Sequence, residues 1–225
     1  MKNYKSILFD LDMTLLDFNQ GQFNALKKTF SRYGVNITEK DDEIYTGINQ
    51  ALWLRLERGE IDKSQLTLLR FPTFIEKMGL SLDGIKIDKE YKDNLCNEAI
   101  LMSGAKQVCE TLSERYELFI ISNGTDYIQR SRIEKSGLKE YFKDAVTSDE
   151  AGAPKPSTDF FDYFFRKEGV SPEKSLIVGD SLTSDILGGV NYSVDTCLVS
   201  EKEPQGDIKP TYRIDCLSQL TDLLK

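Results

Sequence analysis

Histidine is absent from the 225 residues of the sequence. This absence excludes Ser-His-Asp and Cys-His nucleophile systems, zinc sites with histidine ligands and histidine proton shuttles. Any acid-base catalysis by this chain therefore has to use aspartate, glutamate, lysine, tyrosine or cysteine side chains.

Cysteine pairs and long apolar runs are missing as well. The four cysteines form no Cys-x-x-Cys pair, which argues against a disulfide framework and favours small core residues in a reducing compartment. Near the N-terminus the apolar run Ile7-Leu8-Phe9 is shorter than a signal-peptide core or a membrane span. We therefore expect a cytoplasmic protein without a membrane partner. The cysteines are Cys96, Cys109, Cys197 and Cys216.

Basic clusters and low-complexity tracts are also lacking. The chain has 29 basic and 37 acidic residues, which gives a formal net charge of −8. Binding to a phosphate backbone depends on clustered lysine and arginine, so this balance argues against a nucleic-acid polymer as partner. The length and the 40% hydrophobic content suffice for one domain with an insertion or for two small domains.

Short apolar runs that alternate with helical patterns predict a parallel β-sheet. Their near-continuous apolar character is typical of strands that helices bury on both faces. A weaker run at 144–147 fits the same pattern, and from residue 104 onward strands and helices alternate. We predict an α/β fold with a Rossmann-like parallel sheet and helices on both faces. The main runs are Ser6–Phe9, Leu118–Ile121, Ser175–Val178 and Thr196–Val199, and helices are predicted over about 104–114, 124–136, 157–168, 183–191 and 217–224.

The stretch 16–95 contains long helical patterns and no convincing strand. Apolar side chains spaced four apart indicate an amphipathic helix, and glycines near 59 and 79 divide the stretch into several helices. We predict a catalytic core formed by residues 1–15 and 96–225, with 16–95 as an inserted, all-helical cap domain. The apolar positions are Ile44, Ile48, Leu52 and Leu56.

Polar side chains directly follow the predicted strands. Because functional groups collect beyond the carboxyl ends of parallel strands, we expect these side chains to converge. Close carboxylates repel one another unless a cation lies among them, and ligand sets made only of oxygen suit Mg²⁺. An aspartate beside such a cation is a competent nucleophile toward phosphorus, so the set predicts phosphoryl transfer through an aspartyl-phosphate. The motifs are Asp10-Leu11-Asp12-Met13-Thr14, Ser122-Asn123-Gly124, Lys155-Pro156 and Gly179-Asp180 with Asp185.

These four motifs, in this order and spacing, resemble those of the haloacid dehalogenase-like hydrolases. The resemblance covers the whole chain and includes a helical cap inserted after the first strand. Three segments also resemble the pyrimidine 5′-nucleotidase branch of that superfamily. They are Ile48–Trp53, Arg70-Phe71 and Gly179–Gly189.

The resemblance implies roles for four carboxylates. Asp10 would attack phosphorus, and Asp12 would donate a proton to the leaving oxygen and then accept one from water. Mg²⁺ would be held by Asp10, the main-chain carbonyl of Asp12 and Asp180. Asp185 would support the metal site, either as a ligand or through another ligand.

The resemblance also implies an anion-binding set. Ser122 and the amides of Asn123 and Gly124 would bind phosphate oxygens near the start of a helix, and Lys155 would stabilise the developing charge. Met13 departs from the family pattern, which commonly has a small or polar residue at this position. This departure leaves the catalytic carboxylates in place and bears on the turn that carries them.

Five further side chains have a functional and a structural interpretation. Asn49 would either read the edge of a base or lie solvated on its helix. Trp53 and Tyr45 would either stack on a base or belong to the core. Gln129 and Arg132, three residues apart on a predicted helix, would form a polar contact between cap and core or lie on the surface.

The predicted function is that of a Mg²⁺-dependent phosphatase acting on a small phosphomonoester. The resemblance implies a pyrimidine nucleoside 5′-monophosphate as substrate. A sugar-phosphate phosphatase or a phosphomutase with the same core is an alternative. A dehalogenase would need neither the proton donor Asp12 nor the metal-compatible Asp180 and Asp185. The non-enzymatic alternative is an aspartyl-phosphate switch or binding module, against which the insert and Asp12 argue.

Overall fold

One parallel β-sheet organises the computed structural model, which describes residues 2–225. Within these residues, six strands lie in the order β3-β2-β1-β4-β5-β6, and every neighbouring pair is parallel. The predicted α/β class and parallel sheet are thereby confirmed. The strands are β1 (Ser6–Phe9), β2 (Glu117–Ser122), β3 (Phe142–Thr147), β4 (Ser175–Gly179), β5 (Asp195–Val199) and β6 (Tyr212–Ile214).

Helices occupy the described connections from β1 to β5, and five of them lie between β1 and β2. The described α-helices are α1 (Phe18–Ser31), α2 (Glu39–Glu57), α3 (Lys63–Lys77), α4 (Gly84–Leu95), α5 (Ala105–Ser113), α6 (Asp126–Ser136), α7 (Ser148–Ala151), α8 (Thr158–Glu168), α9 (Leu187–Tyr192) and α10 (Leu220–Leu223).

The central strand β1 is buried on both faces. Ile7 and Phe9 belong to one hydrophobic cluster, to which α5 contributes, whereas Leu8 belongs to a second cluster built largely from the phenylalanines of α8. Successive side chains of a strand point to opposite faces, so one short apolar run serves both cores. This arrangement explains why the sequence shows a continuous apolar run instead of an alternating one.

Two parts of the fold differ from the sequence prediction. The sixth strand was not predicted, because only Ile214 of its three residues is buried and no apolar run marks it. The predicted helix 183–191 begins as a π-helical turn over Leu182–Ile186 before it continues as α9.

The cysteines are only partly core residues. Cys109 and Cys197 are buried, Cys96 is partly buried and Cys216 is exposed. The prediction of small core residues is therefore confirmed for the first two and wrong for Cys216. Among residues 2–225, no helix combines the length and the hydropathy that a membrane crossing requires.

The chain divides into two compact units. The first unit consists of the N-terminal segment that ends at Phe18 and of Ala99–Lys225, and it contains the sheet. The second unit is Asn19–Glu98. The second unit, hereafter the helical unit, is built from α2, α3, α4 and nearly all of α1. Gly59 and Gly79 follow α2 and α3 with φ values of 70° and 64°. Glycine adopts this left-handed conformation without a steric penalty, and it ends each helix.

The helical unit contains a buried ion pair. Arg70 Nη2 donates to Asp88 Oδ1 at 2.5 Å, and Lys92 Nζ lies 2.6 Å from the other carboxylate oxygen of Asp88. The guanidinium also lies 5.2 Å from the ring centroids of Phe71 and Tyr91. Because Arg70 is enclosed by rings, the Asp88 carboxylate is its principal charge partner.

Replacing Asp88 by asparagine should lower the free energy of unfolding by about 3–5 kcal/mol, the usual cost of leaving a buried charge without its partner. The exposed Asp93, on the same helix, is the matched control. Asp93→Asn should change stability by less than about 0.5 kcal/mol. Urea unfolding followed by fluorescence measures the effect, because Trp53 is the single tryptophan and lies in the helical unit. Equal losses in both variants would contradict this prediction.

Candidate active site

Parallel register brings the predicted motifs to one edge of the sheet. Phe9, the last residue of β1, lies opposite Val178 of β4, and β2 pairs with β1 in an equally regular register. Asp10 follows Phe9, whereas Ser122 ends β2 and Asp180 follows β4. The three polar residues therefore emerge within about one strand residue of one another, as expected for an open parallel sheet.

Three carboxylates and one lysine form a cluster at this edge, in which Asp180 is partly exposed and the other three residues are buried. Oxygens of Asp10, Asp180 and Asp185 all lie within 4.8 Å of one another. The ammonium of Lys155 donates to Asp10 Oδ1 at 2.7 Å, to Asp185 Oδ1 at 2.7 Å and to the carbonyl oxygen of Ile121 at 2.9 Å. All three N–H donors of the ammonium are thus used, and Lys155, at 1% exposure, is no ordinary surface lysine.

The electrostatics of the cluster favour a bound cation. Burial and the neighbouring carboxylates raise the pKa of Asp10 well above its usual value, although Lys155 opposes this shift. Burial and Asp185 raise the pKa of Asp180 to about 7. Burial alone would lower the pKa of Lys155, but Asp10 and Asp185 outweigh it and raise that pKa. A divalent cation among these carboxylates would oppose the upward shifts and stabilise their ionised forms.

Asp12 is held by two side chains of α6. Arg132 Nη1 donates to Asp12 Oδ1 at 2.5 Å, and Gln129 Nε2 donates to Asp12 Oδ2 at 2.7 Å. Both partners are buried and belong to the same unit as Asp12. The surface position offered for them is therefore wrong, whereas a contact with the helical unit stays a prediction. Arginine and glutamine usually lie on surfaces, so their residue types gave no signal of this burial.

Two groups of the segment Ser122-Asn123-Gly124, which was expected to bind phosphate, form hydrogen bonds within the protein instead. Gly124 N donates to Ser122 Oγ at 3.1 Å, so one of the amides expected to bind phosphate already has a partner. The Asn123 side chain accepts a hydrogen bond from Lys155 N at 2.8 Å and donates to Lys155 O at 2.9 Å. It therefore fixes the main chain beside the buried ammonium, a function that spacing along the sequence did not suggest.

Two glycines are needed because a side chain lies against each of them. A Cβ atom at Gly124 would lie 2.3 Å from Gln129 Nε2, and one at Gly179 would lie 2.2 Å from Asp185 Oδ2. Asp185 Oδ2 also accepts a hydrogen bond from Ser181 N at 3.1 Å. Any larger residue at position 179 would displace the Asp185 carboxylate from the cluster.

Met13 lies in the turn that carries both catalytic candidates of the first motif. Its φ of 61° places it in the left-handed region, which costs an L-residue roughly 1–2 kcal/mol. Met13 N donates to Leu16 O at 2.8 Å and thereby closes the turn. The departure from the family pattern thus coincides with a strained backbone position, while Asp10 and Asp12 keep their places.

The candidates from the insert lie in the helical unit and not in this cluster. Asn49 is 3% exposed; its Nδ2 donates to Gln22 Oε1 and its Oδ1 accepts from Arg70 Nη1, each at 3.4 Å. Its amide is therefore engaged inside the unit instead of being solvated on a helix surface, and reading of a base by Asn49 stays a prediction. Trp53 is partly buried, whereas Tyr45 is fully buried among aromatic rings, as the core interpretation requires.

Comparison with known proteins gives the same assignment for nearly the whole chain. The family model of the haloacid dehalogenase-like hydrolases matches residues 7–199. YfnB of Bacillus subtilis (strain 168), whose name places it among the HAD-hydrolases, is 34% identical and aligned over 100% of this chain and 97% of its own length. A crystal structure of YfnB bound to magnesium superposes with a TM-score of 0.94 at 34% identity and covers 100% of both chains.

Two further relatives have names that state an activity. PynA of Streptococcus pneumoniae, named a pyrimidine 5′-nucleotidase, is 35% identical over 98% of this chain and 95% of its own length. YjjG of Escherichia coli (strain K12), which carries the same activity in its name, is 33% identical over 97% of this chain and 96% of its own.

Proposed function

The chain belongs to the haloacid dehalogenase-like hydrolase family, and we propose that it is a Mg²⁺-dependent phosphatase working through an aspartyl-phosphate on Asp10. One observation carries the proposal. Asp10 lies at the end of β1 in a cluster with Lys155, Asp180 and Asp185, where a nucleophile, an anion-stabilising ammonium and a candidate cation site meet. Receiver-like phosphorylation without turnover would not require the separate carboxyl group of Asp12.

The residues of the cluster fit Mg²⁺. Mg²⁺ prefers oxygen ligands and is usually held by one or two carboxylates with several waters, and Asp10, Asp180 and Asp185 supply such oxygens. Asp10, Asp180, the main-chain carbonyl of Asp12 and, directly or through its neighbours, Asp185 would hold the ion. When bound, Mg²⁺ would neutralise charge on the phosphoryl oxygens and orient them toward Asp10. The related protein YfnB has magnesium bound in its crystal structure.

The first half-reaction transfers the phosphoryl group to the enzyme. A carboxylate oxygen of Asp10 attacks phosphorus, the bond from phosphorus to the leaving oxygen breaks, and Asp12 gives its proton to that oxygen. Lys155 lies 2.7 Å from Asp10 and stabilises the negative charge of the transferring group. Ser122 Oγ already accepts hydrogen bonds from Gly124 and Gln129, so it is left as a hydrogen-bond donor to a phosphate oxygen.

The second half-reaction regenerates the enzyme. Water attacks the phosphorus of the aspartyl-phosphate, the bond from phosphorus to Asp10 breaks, and Asp12 takes a proton from the attacking water. Asp10 returns as a carboxylate, Asp12 returns to its protonated form, and inorganic phosphate leaves. The net reaction is hydrolysis of a phosphomonoester to an alcohol and phosphate.

We further propose a pyrimidine nucleoside 5′-monophosphate as the substrate. The support is the activity named for PynA and YjjG, which are 35% and 33% identical to this chain over almost its full length. The leaving alcohol would then be the 5′-hydroxyl of a nucleoside, a poor leaving group that needs the proton of Asp12.

Phosphate release from a panel of nucleoside monophosphates and sugar phosphates tests the function. We expect release from pyrimidine 5′-monophosphates with Mg²⁺, loss of release in EDTA and recovery on adding Mg²⁺ back. Purine 5′-monophosphates are the matched controls for the base, and 3′-monophosphates are those for the position of the phosphate.

Three other outcomes would each correct a different part of the proposal. Release only from sugar phosphates would keep the mechanism and discard the nucleotide substrate. Release undiminished by EDTA would overturn the metal requirement. No release from any phosphoester would favour a phosphorylated switch or a binding module.

A further inference from the structure

Two buried side chains of α6, Gln129 and Arg132, have no part in the four motifs yet contact two residues of those motifs. We propose that Gln129 and Arg132 are positioning residues that hold the Asp12 carboxyl group for its two proton transfers, and that Gln129 fixes it relative to the Ser122 hydroxyl. This inference rests on the proposed phosphatase function and concerns the same site. The four residues, Asp12, Ser122, Gln129 and Arg132, are hereafter the α6 clamp.

Hydrogen bonding in the α6 clamp leaves little freedom for Asp12. Arg132 Nη1 binds Oδ1 of the carboxyl group and Gln129 Nε2 binds Oδ2, so each oxygen has its own donor. Gln129 Nε2 also donates to Ser122 Oγ at 2.8 Å, which uses both of its hydrogens. Gln129 Oε1 in turn accepts from Arg132 Nη1 at 2.9 Å, which orients the amide.

The Asp12 side chain is partly exposed, whereas the Arg132 side chain that holds it is buried. The exposed fractions are 29% for Asp12 and 1% for Arg132. The Arg132 guanidinium also lies 5.6 Å from the centroid of the Phe18 ring, which packs against its face. Asp12 is thus a partly exposed carboxyl group held by buried side chains, an arrangement suited to proton transfer to a bound substrate.

The charges of the α6 clamp are balanced independently of the acidic cluster. Arg132 would offset the charge that Asp12 carries after it gives up its proton, whereas Lys155 and a bound cation would offset Asp10, Asp180 and Asp185. Removing Arg132 therefore leaves the donors of the acidic cluster unchanged. Its loss should act on the proton-transfer group and not on the nucleophile.

Misplacement of Asp12 has a different effect on each half-reaction, and the leaving group reveals it. A nucleoside 5′-alkoxide needs a proton to depart, so formation of the aspartyl-phosphate should slow. 4-Nitrophenolate departs without a proton, so aspartyl-phosphate should form normally from 4-nitrophenyl phosphate and then hydrolyse slowly, because water lacks its base. A merely structural disturbance would not separate the two substrates in this way.

The experiment compares Arg132→Met with the wild-type chain, both with Mg²⁺. On a pyrimidine nucleoside 5′-monophosphate, kcat should fall by about 10²–10⁴-fold, the usual size of a general acid-base contribution, with little change in KM. On 4-nitrophenyl phosphate, rapid mixing should show a burst of about one nitrophenolate per enzyme followed by slow turnover, as expected when the second step becomes limiting. Acid-quenched enzyme should then carry the phosphoryl group, which mass spectrometry detects.

Two further variants control for folding and for position. Gln129→Met has a similar length and lacks the amide, so it should show the same burst together with a raised KM, because Ser122 loses a partner. Arg130→Met lies on the same helix, and Arg130 is 45% exposed and pairs with Asp126 and Glu150 at the surface. It should keep wild-type rates on both substrates. Circular dichroism spectra and thermal midpoints show whether each variant is folded.

The outcomes separate this inference from the proposed function. A burst in Arg132→Met or Gln129→Met, absent from Arg130→Met, supports the α6 clamp. Full rates in both variants, or equal losses on both substrates without a burst, overturn it while leaving the phosphatase function intact. If the wild-type chain releases phosphate from neither ester, the proposed function is wrong and the positioning role falls with it.

Discussion

Asp10→Asn is expected to abolish phosphate release while leaving the fold intact. The asparagine keeps an oxygen that can accept the hydrogen bond from Lys155, but its amide cannot attack phosphorus. We expect a loss of at least ~10⁴-fold in kcat, the scale seen when a nucleophile is removed. The variant should unfold at an equal or higher temperature than the wild type, because one of three mutually repelling carboxylates becomes neutral.

Three measurements on Asp10→Asn check the prediction: phosphate release, phosphoryl transfer detected by mass after acid quenching, and the thermal midpoint without metal. Asp10→Ala serves as a second variant, which lacks both side-chain oxygens. Undiminished turnover in either variant would show that Asp10 is not the nucleophile. Loss of turnover with a lost fold in both would instead make Asp10 a structural residue.

Lys155→Met should affect stability and catalysis together. The substitution removes three hydrogen bonds and leaves Asp10 and Asp185 buried without their cation. Breaking a buried pair from one side costs about 3–5 kcal/mol, so urea unfolding should show a loss of this size without metal. In enzyme that remains folded, kcat should fall by about 10²–10³-fold or more, since the ammonium no longer stabilises the transferring group.

Lys167→Met provides the matched control for Lys155→Met. Its ammonium also meets two carboxylates, Asp144 and Glu150, each at 2.6 Å, but the side chain is 31% exposed. Water screens these pairs, so we expect a loss of no more than about 1 kcal/mol and unchanged turnover. Similar losses of stability in Lys155→Met and Lys167→Met would contradict the importance that we assign to burial at Lys155.

The sheet and the acidic cluster follow from short-range patterns together with one geometric rule. Four apolar runs of four residues and one weaker run at 144–147 predicted five of the six strands, because a strand covered on both faces is largely apolar. Parallel strands end at one edge, so Asp10, Asp180 and Asp185 could be grouped before any distance was known. The strand β6 escaped prediction because it is short and its residues are mostly half-buried.

The positions of single polar side chains could not be predicted from such sequence patterns. Arg132 and Gln129 lie on a helix without a clear apolar stripe, and both are residue types that are mostly exposed. The sequence likewise left Asn49 as either a base-reading or a solvated amide, yet it is hydrogen-bonded to Gln22 and Arg70 inside the helical unit. Asp12 lies 117 and 120 residues from Gln129 and Arg132 along the chain, and the partners of Asn49 lie 27 and 21 residues from it.

The sequence by itself determined the fold class, the family and the set of reactive residue types, including the exclusion of histidine chemistry. These properties are fixed by composition, local periodicity and motif order, which do not depend on distant contacts. Tertiary structure alone decided that Lys155 is buried between two carboxylates, that Asn123 fixes its main chain, and that Arg132 supports Asp12. The physical reason is that burial and hydrogen bonding of a polar side chain depend on which groups the fold places around it, and its own neighbours in sequence carry little of that information.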